Sequence, residues 1–353
     1  METGGPGPGP AQGRAEPRPD RARLGLALLG LLSLAVLSVL VGVGDMAPGS
    51  LVSALRASLA GDAAGGGEAA GRATLLLVAS RVPRTLALLF AGLAMGVCAA
   101  LMQMLFRNRF VEPTTAGTAE AASLGLLCAT LLTPGLPLLG KMLVAAAFAL
   151  AGTVLFLKIV DRIAFRGAVV VPLVGLMLGG VINALTTFVA YRADLLQSLA
   201  AWTTGDFSGV VRGRYELMWL CVVLAVIAYA AADRFTVAGL GDTFARNLGL
   251  DYRRIVALGL AIVALATAAA IATAGTVPFL GLLVANAVGL VLGDNLRRTL
   301  PWIALSGAGF LLACDILGRL IRYPYEIPVG TVAGVAGSAV FLFLLLGRRL
   351  RLG

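Results

Sequence analysis

The chain has 353 residues, 59% of them apolar by type and only 13% charged, with a mean hydropathy of +0.93. Soluble domains average about 45–50% apolar and about 25% charged residues, so this composition is that of a membrane protein with little room for a separate catalytic domain. The formal charge of +10 is spread through short loops and not gathered in one block, which removes nucleic acid as a partner and leaves membrane topology as the explanation.

The absence of histidine excludes a Ser-His-Asp hydrolase, a zincin and a His-ligated haem. Cys98, Cys128, Cys221 and Cys314 are widely spaced inside apolar runs, so no metal site and no cofactor is expected.

In chain order, residues 1–23 are rich in Gly and Pro and carry four arginines, which predicts a disordered cytoplasmic tail. The run 24–44 is longer than the apolar core of a signal peptide and lacks a small-x-small cleavage site, so it reads as an uncleaved helix. Further spans are predicted at 83–103, 114–133, 142–160, 169–190, 214–233, 254–274, 278–293, 301–320 and 328–346. Ten spans put both termini on one side of the membrane. Placing them in the cytoplasm leaves 18 basic residues inside and 10 outside, as the positive-inside rule requires. Residues 24–353 thus form one all-α transmembrane domain. Two outer stretches, 45–82 and 191–213, are long enough to fold, the first as a short interfacial helix at 50–59 followed by a Gly-rich turn at 65–67.

Residues 135–141 copy the spacing of a phosphate-binding loop. Met142 stands where Ser or Thr would bind Mg²⁺, and the segment joins two spans on the outer face, so nucleotide binding is not expected in this chain. The pairs Gly92/Gly96, Gly175/Gly179 and Gly330/Gly334 place small residues one turn apart, which allows close helix approach in lipid. Gln103, Glu120, Asn183, Asn286 and Asp315 are polar groups inside spans. Glu120 and Asp315 are candidates for an ion-coupled secondary transporter, although both sit near span ends where water could reach them. The inner loop 234–254 predicts a stiff knob, with a short helix from Asp242 closed by Gly249 and a second helix starting near Asp251.

With these residues in view, the chain resembles the permease subunits of the iron–siderophore, haem and cobalamin importers of the ATP-binding-cassette class, the FecCD family. The resemblance runs from about residue 81 to 346. It is carried by Arg81-Val82-Pro83-Arg84-Thr85, by Gln103 to Asn108 leading into Glu112-Pro113, by Leu195 through Trp202 to Gly205, by Ala245 to Leu250, by Gly275 to Gly281, by Arg297-Arg298 with Leu300-Pro301, and by Asp315 through Arg319 to Gly330. The wording of residues 202–216 and 322–328 is similar to the branch that imports catecholate-type ferric siderophores. Arg109, Glu120 and residues 284–286 depart from the common family pattern.

The resemblance implies the permease fold of type II importers. It also implies a second permease copy, identical or paralogous, around one path, two ATPase subunits below and an extracytoplasmic binding protein above. By the same resemblance, Ala245, Arg246, Leu248, Gly249, Leu250, Arg253 and Arg254 are expected to couple to the ATPase, and Arg81, Arg84 and Arg319 to dock the binding protein. Gly175, Gly179, Gly180 and Asn183, with Gly330 and Gly334, are expected to line the translocation path for a ferric siderophore. The expected role is therefore a non-catalytic transport subunit in the bacterial cytoplasmic membrane, in contact with lipid.

Overall fold

The computed structural model describes residues 21–41, 75–163, 169–322 and 324–346. Most of the expected tail, the expected interfacial helix at 50–59 and the turn at 65–67 lie outside the described residues. The elements are α1 (Arg21–Leu40), a π-helical turn (Leu77–Arg81) running into α2 (Val82–Leu105), α3 (Thr118–Leu132), α4 (Leu138–Arg162), α5 (Val170–Arg192) and the short α6 (Leu196–Thr203). After a 3₁₀ turn (Tyr215–Met218) come α7 (Trp219–Ala230), α8 (Ala232–Ala238), α9 (Asp242–Asn247), α10 (Tyr252–Thr273), α11 (Leu280–Leu292), α12 (Leu296–Ile321) and α13 (Val329–Leu346). No strand occurs among the described residues.

Each of the ten expected spans coincides with helix, but the helices are not equal. Six are long and apolar enough to cross a bilayer: α1, α2 with its preceding turn, α4, α5, α10 and α12. The expected span at 214–233 is bent by 64° between α7 and α8, so its inner part turns aside. No Pro or Gly marks the bend; Ala231 alone leaves the α conformation, at φ −95° and ψ 6°. α11 has 13 residues and rises about 20 Å, short of the about 30 Å hydrocarbon core, so it reaches only part-way.

α2 runs through the centre and packs against α12, α10, α11 and α7, while α3 and α4 form a close pair and α5 lies outside α3. Small residues set these distances. A Cβ on Gly92 would fall 2.4 Å from the carbonyl oxygen of Gly307, and one on Gly307 would fall 2.3 Å from that of Gly92. The α2 and α12 backbones are therefore in contact, which in lipid supplies dispersion energy that side chains would otherwise hold apart. Likewise a Cβ on Gly175 would strike the Thr115 carbonyl oxygen at 2.0 Å, seating α5 against the turn before α3.

Candidate functional site

Three of the motifs meet at the outer end of the break between α10 and α11. Thr276 donates its backbone N–H to the Trp202 carbonyl (3.1 Å) and its hydroxyl to that of Thr203 (2.8 Å), while the Gly330 N–H reaches the Gly205 carbonyl (2.9 Å). Gly205 has φ +64° and Gly275 φ +94°. A Cβ at Gly205 would lie 2.4 Å from the Thr276 carbonyl oxygen, and one at Gly330 would lie 2.3 Å from that of Thr204. Residues 202–205, 275–276 and 330 thus touch backbone to backbone.

The N-terminus of α11 is closed from across the molecule. Glu112 is 2% exposed; its carboxylate accepts from the backbone N–H of Leu282 (2.8 Å) and of Phe279 (3.2 Å), and from the Thr114 hydroxyl (2.7 Å). An anion suits the unpaired N–H groups and positive dipole end of a helix that starts inside the membrane region. Gly281 leaves room for it, since a Cβ there would come within 3.0 Å of Glu112 Oε2.

Beside this junction lies a cavity of about 280 Å³ lined by Thr114, Glu120, Ser123, Leu176, Gly179, Gly180, Asn183, Thr203 and Thr276. A second, open groove of about 730 Å³ shares Thr203 with it and runs along α13 past Gly330, Thr331, Gly334 and Ser338. Gly179 is buried under the Glu120 side chain: its Cβ would stand 3.2 Å from the carboxyl carbon. Gly180 and Asn183 are exposed on the same face of α5. Gly175 lies one turn further along, against Thr115, and does not line the cavity.

At the outer end of α2 the arginines turn inward. Arg84, 8% exposed, donates to Asp315 Oδ1 from Nη2 (2.7 Å) and Nε (3.0 Å) and to Glu326 Oε2 (2.6 Å). Arg319, 5% exposed, pairs with Asp315, donates to the Ser38 carbonyl (2.9 Å) and hydroxyl (2.8 Å), and reaches the Val41 carbonyl. Arg81 donates to the Val39 carbonyl at 3.2 Å. Two arginines therefore satisfy the last carbonyls of α1, where helix geometry leaves acceptors open and the dipole favours cations. Asp315 is wholly buried, so water does not reach it as the sequence suggested.

At the inner end, α8 leads into the knob. The Gly241 N–H bonds to Ala238, α9 runs from Asp242 to Asn247, and the Gly249 N–H (2.8 Å to Arg246) and Leu250 N–H (3.0 Å to Ala245) close it. Gly249 has φ +76° and open space around it. Asp251 caps α10 by accepting from the Arg254 N–H. Ala245 is buried, while Phe244, Leu248, Arg246, Arg253 and Arg254 are exposed. The knob is seated on the end of α2: Met104 fills the space a side chain at Gly239 would take, and Arg107 Nη1 lies 3.3 Å from the Cβ position of Gly241.

Residues 28–347 match the FecCD transport family. The chain belongs to that family. It is 48% identical over 319 residues to the petrobactin import permease YclN of Bacillus subtilis, covering 90% of this chain and 96% of that protein. It is 40% identical over 279 residues to the ferric-anguibactin permease FatD of Vibrio anguillarum, covering 79% and 89%. The vitamin B12 import permease BtuC of Salmonella newport is 32% identical over 338 residues, covering 93% and 96%. Among solved structures, an inward-facing metal-chelate-type ABC transporter superposes with a TM-score of 0.73 at 20% identity, over 92% of this chain and 99% of that one. That likeness supports the fold.

Within this FecCD chain the structure brings Gly179, Gly180 and Asn183 to one cavity and Gly330 and Gly334 to the groove beside it. It gathers Ala245, Arg246, Leu248, Gly249, Leu250, Arg253 and Arg254 into one knob at the inner end. Arg84 and Arg319, expected to dock the binding protein, are buried at the outer end, because Asp315 and Glu326 draw them inside. The sequence reading did not pick out Ser38, Thr203 or Thr276. Thr203 and Thr276 lie within the motifs at 195–205 and 275–281 but carry no signal of their own there, and Ser38 lies outside every motif; their roles are visible only once distant segments are packed together.

Proposed function

We infer that this chain is the membrane-spanning permease subunit of an ATP-driven importer that carries a ferric siderophore across the bacterial cytoplasmic membrane. The observation that carries the reading is near-complete correspondence with a siderophore permease, 48% identity over 90% of the chain. The chain transports and does not catalyse; ATP is hydrolysed by two separate ATPase subunits, and a second permease copy or paralogue completes the path.

The exposed knob supports ATPase coupling. Ala245 anchors it, Leu248 and Leu250 give it an apolar edge, Gly249 makes its tight turn, and Arg246, Arg253 and Arg254 give it charge. A short helix fixed to α2 transmits displacement to the centre of the molecule instead of absorbing it. The cavity and groove walled by Gly179, Gly180, Asn183, Gly330 and Gly334 form the path, with Gly175 setting the seat of α5. Apart from Glu120 these walls are small or weakly polar, which leaves room for a bulky chelate.

Among the described residues, docking of the binding protein falls to the exposed outer cations Arg192, Arg212, Arg214 and Arg322, with half-buried Arg81 at their margin. Arg84 and Arg319 act behind them by holding the outer ends of α1, α2 and α12 together. Arg is suited to both tasks because its planar fork meets a carboxylate at two points.

An ion-coupled transporter using Glu120 and Asp315 fits less well, since Asp315 is wholly buried and paired with two arginines. Expression of the chain with its ATPase and binding protein, in cells lacking their own permease, is expected to restore accumulation of ⁵⁵Fe from a ferric siderophore. Accumulation that survives loss of the ATPase's phosphate-binding lysine would contradict the reading.

A further inference from the structure

Glu120 has no assigned part in transport, yet it occupies the cavity wall. Its Oε2 is enclosed and has no hydrogen-bond partner, and the side chain lies flat against Gly179, which has no Cβ to push it away. The remaining polar lining is Thr114, Ser123, Asn183, Thr203 and Thr276, four hydroxyls and an amide, with no Lys or Arg among the lining residues. Glu120 belongs to the first turn of α3, where the helix dipole favours an anion. A carboxylate at membrane depth without a cation is costly, and such groups mark sites where something charged passes.

We propose that Glu120 and its ring of hydroxyls form a subsite for a positively charged ammonium group of the cargo, so that the path favours chelates bearing protonated amines over equally large, purely anionic ones. This rests on the reading of α5 and α13 as the path walls. The cavity, at about 280 Å³, exceeds what a dehydrated metal ion needs and suits an alkylammonium with its first carbons. The hydroxyls and the Asn183 amide offer acceptors around a cation, and Leu176 offers the apolar side on which its methylenes can lie.

The test uses the full importer in proteoliposomes. Asn183→Cys is introduced with Cys128→Ser, because Cys98, Cys221 and Cys314 are already buried. Labelling by a trimethylammonium thiosulfonate is compared with that by a sulfonate thiosulfonate of similar size. The cationic reagent is expected to react about tenfold faster, the effect of one charge-assisted contact, and Glu120→Gln is expected to remove that preference. Equal rates, or a preference that persists in Glu120→Gln, overturn the subsite.

In a transport arm, uptake of a ferric catecholate on a polyamine backbone is compared with uptake of its N-acetylated form. Glu120→Gln should lower the first about tenfold and leave the second within about twofold. Replacing Na⁺ by K⁺ should change neither; a strict Na⁺ requirement overturns the proposal in favour of a small-ion site. Cation-selective labelling without ATP-driven uptake of either chelate would overturn the importer reading while leaving the subsite standing. Uptake of both chelates at wild-type levels in Glu120→Gln would overturn the subsite while leaving the importer standing.

Discussion

Arginines at the two ends of the molecule behave in opposite ways. At the outer end, Arg84 and Arg319 are buried and bind two to four acceptors each: Arg84 reaches Asp315 and Glu326 far along the chain, and Arg319 joins Asp315 one turn away to Ser38 and Val41 far along it. At the inner end, Arg246 and Arg254 are exposed and pair only with Asp242 and Asp251, one turn away. The outer set locks three helices; the inner set decorates a surface. Residue type is the same in both cases, and the difference lies in which distant acceptors the fold delivers.

The largest effect is expected from breaking the outer set. Asp315→Ala leaves Arg84 and Arg319 facing each other in a buried site, which should cost about 3–5 kcal/mol. Thermal unfolding in detergent should show a marked fall in melting temperature and a reduced yield of inserted protein. A melting curve like that of the wild type would mean that water screens the cluster.

Gly249→Val acts at the other end and in a different currency. A β-branched residue at φ +76° strains the turn by about 1–2 kcal/mol, enough to distort the knob but not to unfold a chain held by its long helices. ATP hydrolysis by the assembled complex should continue while iron uptake falls steeply. Retained uptake at the wild-type rate would remove the knob from coupling.

A smaller effect is expected at Gly179→Ala, whose Cβ would stand 3.2 Å from the Glu120 carboxyl carbon. The flexible carboxylate can yield by a few tenths of an ångström, so stability should change by less than about 1 kcal/mol, within the range of tolerated packing changes. Uptake of an amine-bearing chelate should drop more than uptake of a neutral one. Smallest of all, Arg246→Ala removes one exposed pair and should shift stability by only about 0.3–0.5 kcal/mol, read as a change in melting temperature near the limit of detection.

The contrast also explains what the sequence could and could not reveal. The knob was legible to the residue because its signals are local: Asp242 opens α9, Gly249 closes it and Asp251 caps α10. The apolar runs marked all ten membrane segments. They could not announce the bend at Ala231, which no Pro or Gly betrays, or the closing of the α11 N-terminus by Glu112 nearly 170 residues earlier, although the short apolar run at 278–293 already marked that span as the shortest. Nor could they announce that Arg84 and Arg319, expected to dock the binding protein, are buried. Their inward direction is set by Asp315, Glu326 and the end of α1, and Ser38 carries no signal of that role in its own neighbourhood. Glu120 stood out as a polar residue in a span, but its placement over Gly179 required the packing of α3 on α5.

The central claim is that motion delivered to the knob by ATP hydrolysis, and not an ion gradient acting on carboxylates in the chain, drives the cargo through. The most direct measurement is ⁵⁵Fe–siderophore entry into two sets of proteoliposomes. One holds the assembled importer with ATP on the knob side and no ion gradient; the other holds the purified chain alone with an imposed proton or sodium gradient. Uptake in the first and none in the second is the predicted result, and gradient-driven uptake by the chain alone would contradict it.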